Sequence, residues 1–585
     1  MFLGRVDWGS ISAFPEQEAA DRRAGDEAVA ELTALLREHV NPTLVDAARR
    51  LPDGLLDRLR AGGYLKLQAD RRLGGRELSR LNVFRMVEAA ASWSPVVAYL
   101  LSIGNGFGAV AYLPILPPGA LRDFISERVA AGAVGCAADA EPGGAANRRR
   151  VTTATPVPGG YRLDGQKVNI GLAPVADVMD VSASLADGSG RICLFFIDTR
   201  APGVRITAQQ EYMGLNGLPI GAVRLDGAYV QGERMLGGSD DEWRRSPELA
   251  EIGRFGRTLA NVAPALGIGR LCLAWSRDFV RRRRIDGRGL AEYDEIRRQL
   301  ATSVAEVFAL EAVARWTILN ATRGAGTAAE ATALKNIASV TCWRLVDRTM
   351  ALLGAEGFET ARSKAARGVP ATPVERFLRD ARAMRVAGGV DFQVDNWAAQ
   401  ARLAACYGLA PPADAAPAPV LSSAGSAAVE PIPSAPDAAN DAVLGGRSGS
   451  DALRLSAAGR RHLDWVTAQI AEFGDACRRL VTRHGAALFG QERTLITLHQ
   501  ISSELLTMAL VLTYASHRGA QWHHTAEVYC TTARHRLAGL WHRLTADPAP
   551  AYYGVCGQWL RTDLLDDLLA GTFTELPPVP QEDTQ

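Results

Sequence analysis

Apolar and polar residues near the start of the chain alternate with the period of an α-helix. In ELTALLREHV (residues 31–40) and PDGLLDRLRAGGYL (52–65), apolar side chains recur three and four residues apart, which lines them along one helical face. SRLNVFRMVEAAASW (79–93) continues the pattern with small residues that let helices approach closely. From about residue 132 the period shortens. YRLDGQKVNI (161–170) alternates as a half-buried strand does. DVMDVSASL (177–185) and RICLFFIDT (191–199) follow, set off by Asp-Gly and Ser-Gly turn signals. VRITAQ (204–209) and AVRLDGAYV (222–230) complete a run of short strands. Helical spacing then returns in LGIGRLCLAWSRDFVRRRR (266–284) and EVFALEAVARWTILNAT (306–322), and again in SSELLTMALVLTYASHR (502–518).

The chain is therefore expected to fold as α+β, mainly α. The boundaries predicted are an N-terminal helical domain over 1–131, a middle β domain over 132–236 and a helical bundle over 237–407. A segment rich in Ala, Pro and Ser over 408–450 reads as a linker, because it has too few large apolar residues to bury. A second helical domain spans 451–585. A β module between two helical halves narrows the fold more than composition does.

Composition narrows the function classes. The 65 basic and 64 acidic residues leave a net charge of +1, which offers no electrostatic footprint for nucleic acid. The opening MFLGRVDWG has an early Asp and no apolar run behind it, unlike a secretory signal. The most apolar stretch, 505–515, is too short to span a bilayer, so no membrane span is expected. The eight cysteines form no C-x-x-C pair and read as reduced, mostly buried thiols. Together these point to a cytoplasmic protein.

Particular landmarks carry a resemblance. EPGG at Glu141 to Gly144, YRLDGQKV, EYMGLNG at Glu211 to Gly217 and VQGERMLG occur in that order through the β region. RRRIDG at Arg282 to Gly287, MALLGAEGFET at Met350 to Thr360 and VERFLRDAR at Val374 to Arg382 follow. In order and spacing they resemble the acyl-CoA dehydrogenase superfamily over about residues 1–407. Residues 480–518 resemble the appended helical bundle of the very-long-chain acyl-CoA dehydrogenases. The resemblance implies an N-terminal helical domain, a β-barrel-like middle domain, a four-helix bundle and an extra C-terminal helical domain. It also implies a homodimer, an acyl thioester substrate on coenzyme A or an acyl carrier protein, and FAD.

The family's chemistry needs a carboxylate beside a weakly acidic α-proton, a flavin to take the hydride, and donors for the thioester oxygen. Placed from Arg379–Asp380–Ala381, the usual base position is Gly388, and the alternate one, placed from Gly267, is Arg257. Neither is a carboxylate. A carboxylate returned there, Gly388→Glu, is expected to restore α-proton exchange. The family's flavin contacts map to Asn169, Ile170 and Gly171, to Ala146, to Asp286, and to Ala351. Those that retain a cofactor-binding residue type are Arg283 and the turn Gly354/Gly357, with Asn169 and Gly171 at the ring end.

Two carboxylates are candidates for a relocated base. Asp391 follows Gly388 closely, with a helix N-cap as its other reading. Asp139 lies two residues before Glu141 on a strand-like segment, on the same face. Glu356 reads as a solvated turn carboxylate. The arginines at 281–284 and Arg288 suit either phosphates or a solvated helix end. Only His39 among nine histidines precedes residue 451, which argues against a histidine acid–base site in the main body. His523 and His524 read as surface or packing residues, and no metal site is expected. Gly104-x-Gly106-x-Gly108 lacks the preceding strand of a nucleotide loop. Three functions remain: an acyl-CoA dehydrogenase-like enzyme of a specialised biosynthetic pathway with Gly388 for its base, a redox-neutral cyclase, isomerase or lyase on the same fold, and a non-catalytic scaffold.

Overall fold

The structure, a computed structural model, describes residues 1–144, 150–237, 247–323, 327–409, 450, 452–546, 549–563 and 566–575. The predicted linker lies almost wholly outside the described residues, as does Ala146.

Helix Ala19–His39 buries Ala28, Leu32 and Leu36, a four-residue spacing that gives one apolar face. Helix Arg80–Trp93 starts where the Ser79 hydroxyl accepts from the Asn82 N–H, and Pro95 then opens helix Pro95–Gly106. That helix is buried on nearly every side, which is why its sequence is apolar all round.

The middle region forms one mixed sheet from β1 (Gly135–Ala138), β2 (Thr153–Val157), β3 (Gly160–Gly171), β4 (Val178–Leu185), β5 (Ile192–Asp198), β6 (Val204–Gln209), β7 (Ile220–Gln231) and β8 (Met235–Leu236). The order is β6-β7-β3-β2-β4-β5-β8, with β1 also pairing β4. β4 pairs in parallel with β1 and β2, while the other pairings are antiparallel. The short β1, β2 and β8 lack the alternation needed to find them in sequence.

Helix Pro247–Arg257 passes through one π-helical turn, Thr258–Val262, into helix Ala263–Arg282. Pro264 accounts for the widening. It has no N–H for the Ala260 carbonyl, and its ring crowds that oxygen. Helices Asp294–Thr322, Ala328–Leu353, Val374–Met384 and Asp391–Tyr407 complete this half.

The C-terminal helices Ala457–His484, Glu492–Arg518 and His523–Thr545 pack directly on it. Phe308 sits between Tyr514 and Trp522, at 4.9 Å from each ring. A buried polar contact crosses the same interface: Asp395 accepts from Asn336 Nδ2 (2.7 Å) and Gln500 Nε2 (2.9 Å) and pairs with His499 Nδ1 (2.8 Å). The late histidines are thus not confined to the late domain, because tertiary packing carries His499 into the main body. Likewise the apolar run 505–515 is only the buried middle of a 27-residue helix. Among the described residues, three helical segments, Pro95–Tyr112, Glu248–Arg282 and Glu492–Arg518, are long and apolar enough to cross a membrane by length and composition alone. Between 72% and 78% of their apolar windows is buried within the protein, so core packing accounts for that apolarity.

Candidate active site

Helix Val374–Met384 ends in a turn through Gly388 and Gly389, whose φ angles are +73° and +106°. L-residues with a Cβ rarely adopt that conformation, so glycine suits both positions. The turn lies against the π-helical segment. A Cβ added to Gly388 would sit 3.1 Å from Arg257 Cγ, 3.2 Å from its Cδ and 3.3 Å from Asn261 Nδ2. The two positions placed separately from sequence, Gly388 and Arg257, therefore meet in space.

Arg257 is only 2% exposed, and its Nη1 and Nη2 have no hydrogen-bond partner. Burial, together with the charge of Arg254, pushes the guanidinium down to about 9. Asn261 is fully buried beside it. Its Nδ2 donates to the Arg257 carbonyl at 3.1 Å, and its Oδ1 is unpartnered. Helix Pro95–Gly106 closes on the same segment: Ser102 Oγ donates to Leu259 O at 2.9 Å, and a Cβ on Gly106 would come within 2.7 Å of Gly256 Cα. Gly106 thus serves close helix packing. On the same helix the Tyr99 hydroxyl is buried without a partner, and burial raises it far above its usual range.

Asp391 is the first residue of its helix, not the cap. Val390 is the N-cap, and no side chain caps the helix. The Asp391 carboxylate instead accepts from Lys335 Nζ (3.1 Å), Arg385 Nε (2.6 Å) and Ser339 Oγ (3.3 Å). Lys335 Nζ also donates to the Gly389 carbonyl at 2.7 Å, which ties the glycine turn to helix Ala328–Leu353. Burial lowers the Lys335 ammonium, Asp391 opposes the shift, and Arg257 adds to it.

Asp139 belongs to a different network. It is buried, accepts from Arg150 Nε (3.0 Å) and Nη2 (2.8 Å) and from Ser182 Oγ (2.5 Å). Lys167, fully buried on β3, donates to Glu141 Oε1 at 2.9 Å and to the Asp139 carbonyl at 3.2 Å. Burial would raise Glu141, but Lys167 and the Val151 and Thr152 backbone N–H groups outweigh it and hold the carboxyl below its usual range. These partners all lie within the β domain and hold its strands together.

At the end of β3, Asn169 is exposed with φ +59°. Its Oδ1 accepts from Gln210 Nε2 (3.2 Å) and the Tyr212 hydroxyl (2.5 Å). A Cβ on Gly171 would lie 2.6 Å from Ile103 Cδ1, so Ile103 fills the space a threonine would need there. Arg283 follows helix Ala263–Arg282 and is exposed, as are Arg281, Arg282, Arg284 and Arg288. Glu356 is not a solvated turn carboxylate: its side chain is 18% exposed and pairs with Arg282 at 3.1 Å. Gly354 (φ +58°) ends helix Ala328–Leu353, and Gly357 packs back on it, with room for no Cβ beside Met350 O. Asp380 accepts from the Leu215 N–H at 2.6 Å, and burial raises it to about 6 against Leu215, Arg376 and Arg379. His523 faces Arg454 O, His524 is exposed, and among the described residues no group of three or more potential ligands could hold a metal.

The motifs had indicated Gly388, Arg257 and Asp391. They gave no sign of Asn261, Lys335, Tyr99 or Tyr212, whose polar types are ordinary in sequence and acquire meaning only from burial or position.

Residues 136–228 match the acyl-CoA dehydrogenase middle domain, and residues 254–397 match the acyl-CoA dehydrogenase C-terminal domain. The probable acyl-CoA dehydrogenase FadE10 of Mycobacterium tuberculosis is 27% identical over 396 residues, 66% of this chain and 60% of the relative. The match thus spans less than two thirds of that relative. Human mitochondrial very long-chain specific acyl-CoA dehydrogenase is 23% identical over 580 residues, 94% of this chain and 84% of its own. The FAD-complexed acyl-CoA dehydrogenase from Bacillus anthracis superposes with a TM-score of 0.69 at 16% identity, covering 92% of this chain and 91% of that one. The prolyl acyl carrier protein oxidase AnaB superposes with a TM-score of 0.55 at 16% identity, covering 64% of this chain and 96% of that one. On its motifs, its fold and these matches, the chain carries the middle and C-terminal domains of the acyl-CoA dehydrogenases over residues 136–228 and 254–397.

Proposed function

We propose that this chain is an acyl-CoA dehydrogenase-like enzyme that acts on an acyl thioester without the family's carboxylate base. The observation that carries the reading is the meeting of Gly388 and Arg257. Glycine at one base position and a buried cation at the other cannot take an α-proton. A cation there stabilises negative charge that develops beside it. Asp391 is the nearest carboxylate in sequence, but Lys335 and Arg385 occupy its oxygens. To act as a base it would have to give up one of these partners. Asp139 stands as a structural residue of the β domain.

The carrier is coenzyme A or a carrier protein, and AnaB, named for a prolyl acyl carrier protein, supports the second. A flavin fits the residues only in part. The exposed arginines around Arg283 suit a diphosphate, with Gly354 and Gly357 shaping the neighbouring turn. The ring end does not fit in the family's manner, because Asn169 is engaged by Gln210 and Tyr212 and Ile103 fills the space at Gly171. The same observation favours a second reading, a redox-neutral reaction on the acyl thioester.

We also propose a cytoplasmic homodimer in a specialised biosynthetic pathway. Six buried cysteines suit a reducing compartment. Helix Ala549–Arg561 exposes Tyr552, Tyr553, Val555, Trp559 and Leu560, an apolar face that a second copy would cover. The test is an absorbance spectrum of the protein as purified and after FAD addition and desalting, together with α-deuterium exchange of an added acyl thioester. Flavin retained near one per chain supports the dehydrogenase reading. No flavin with the acyl thioester still bound supports the redox-neutral one, and no acyl thioester binding removes both.

A further inference from the structure

Arg257 has consequences beyond the loss of a base. Its two terminal nitrogens are buried and unpartnered, and the charges around it do not neutralise it. On its own helix, Arg254 pairs with Glu251, which also takes Arg80. On helix Ala328–Leu353, Lys335 pairs with Asp391, which also takes Arg385. The carboxylates facing this region are each shared between two cations, so the guanidinium of Arg257 is left over. A buried charge without a partner is costly, and proteins keep one where a ligand supplies the opposite charge.

The chemistry of the unpartnered atoms specifies the partner. Both Nη atoms are free, and a guanidinium offers them as a planar fork that matches the two oxygens of a carboxylate. Gly388, half-buried and without a side chain, lies against the Arg257 stem, at the turn where the resemblance places the family's base. Asn261 Oδ1, also unpartnered, adds an acceptor beside it. One negative charge balances one guanidinium.

We propose that the site takes an acyl thioester whose acyl group bears a carboxylate, which pairs with Arg257. This rests on the acyl-thioester reading above. The carboxylate lies close to the thioester, because Arg257 occupies a position from which the family reaches the α-carbon.

The experiment is calorimetric titration of the full chain with malonyl-pantetheine and propionyl-pantetheine, which differ by a carboxylate in place of a methyl. The natural protein is expected to bind the malonyl compound about ten- to a hundredfold more tightly, the range of a charge-assisted hydrogen bond. Arg257→Met should bring the two affinities together, and Arg257→Lys should keep part of the preference. Equal binding of both compounds by the natural protein overturns the proposal and leaves the acyl-thioester reading standing. Binding of neither overturns that reading and the proposal with it. The comparison on the natural protein stands even if a variant fails to fold.

Discussion

Replacing Arg257 by methionine should stabilise the protein in the absence of ligand. Burial holds the guanidinium at about 9, well below its usual range, which counts against the charged form in the folded state. The side chain is fully buried, so solvent does not screen this cost. Methionine keeps most of the apolar stem packing and removes the charge. Substitutions of this kind gain about 1–4 kcal/mol. The sign with pH follows from linkage. Arg257 is a base whose folded value lies below its unfolded one. Its destabilisation is therefore fully present below about pH 9 and is relieved as pH rises further, because the unfolded chain then holds the extra proton. Urea denaturation of both proteins at pH 7 and at pH 10 reads this directly. The variant should be the more stable at pH 7, with a smaller advantage at pH 10. A variant less stable at pH 7, or an advantage that does not shrink with pH, would show that a protein group already neutralises the guanidinium.

Gly388→Glu alone should lose about 1–3 kcal/mol, since it forces a side chain into φ +73°, and should not restore α-proton exchange because Arg257 would pair with the new carboxylate. Exchange measured in the double variant with Arg257→Ala, absent from the single one, confirms the contact. Asp380, raised to about 6 by burial, favours the folded state below about pH 4 and loses that contribution as pH rises through 6. Asp380→Asn should therefore flatten the fall in stability between pH 4 and 6, as followed by thermal melts at each pH. Lys167→Met should cost about 3–5 kcal/mol by leaving Glu141 buried without its cation, and adding Glu141→Gln should recover part of it in urea melts. Trp559→Glu should shift sedimentation toward monomer without changing the far-UV circular dichroism, whereas an unchanged sedimentation coefficient removes this face from the dimer.

The elements were legible because each has a one-dimensional signature. Leu32 and Leu36 recur at helical spacing, and the alternation through 161–170 marks β3, so period alone separated helical from β regions. Gly388 and Arg257 were legible as departures from ordered motifs. Their contact was not, because it depends on the π-helical turn at Pro264 and the left-handed turn at Gly388 closing on each other. Sequence also left the carboxylates undecided. Packing pairs Asp391 with Lys335 and Arg385, and Asp139 with Arg150, contacts that no motif announces. Lys167 is an ordinary strand lysine in sequence and a fully buried cation in the fold. His499 sits far along the chain, yet it reaches Asp395. By itself the sequence determined the periods and the order of the motifs, because these are properties of neighbours along the chain. Only the tertiary structure decided which charges are paired, and that the Arg257 guanidinium is buried without a partner for its terminal nitrogens, because burial and pairing are set by groups that meet from distant segments.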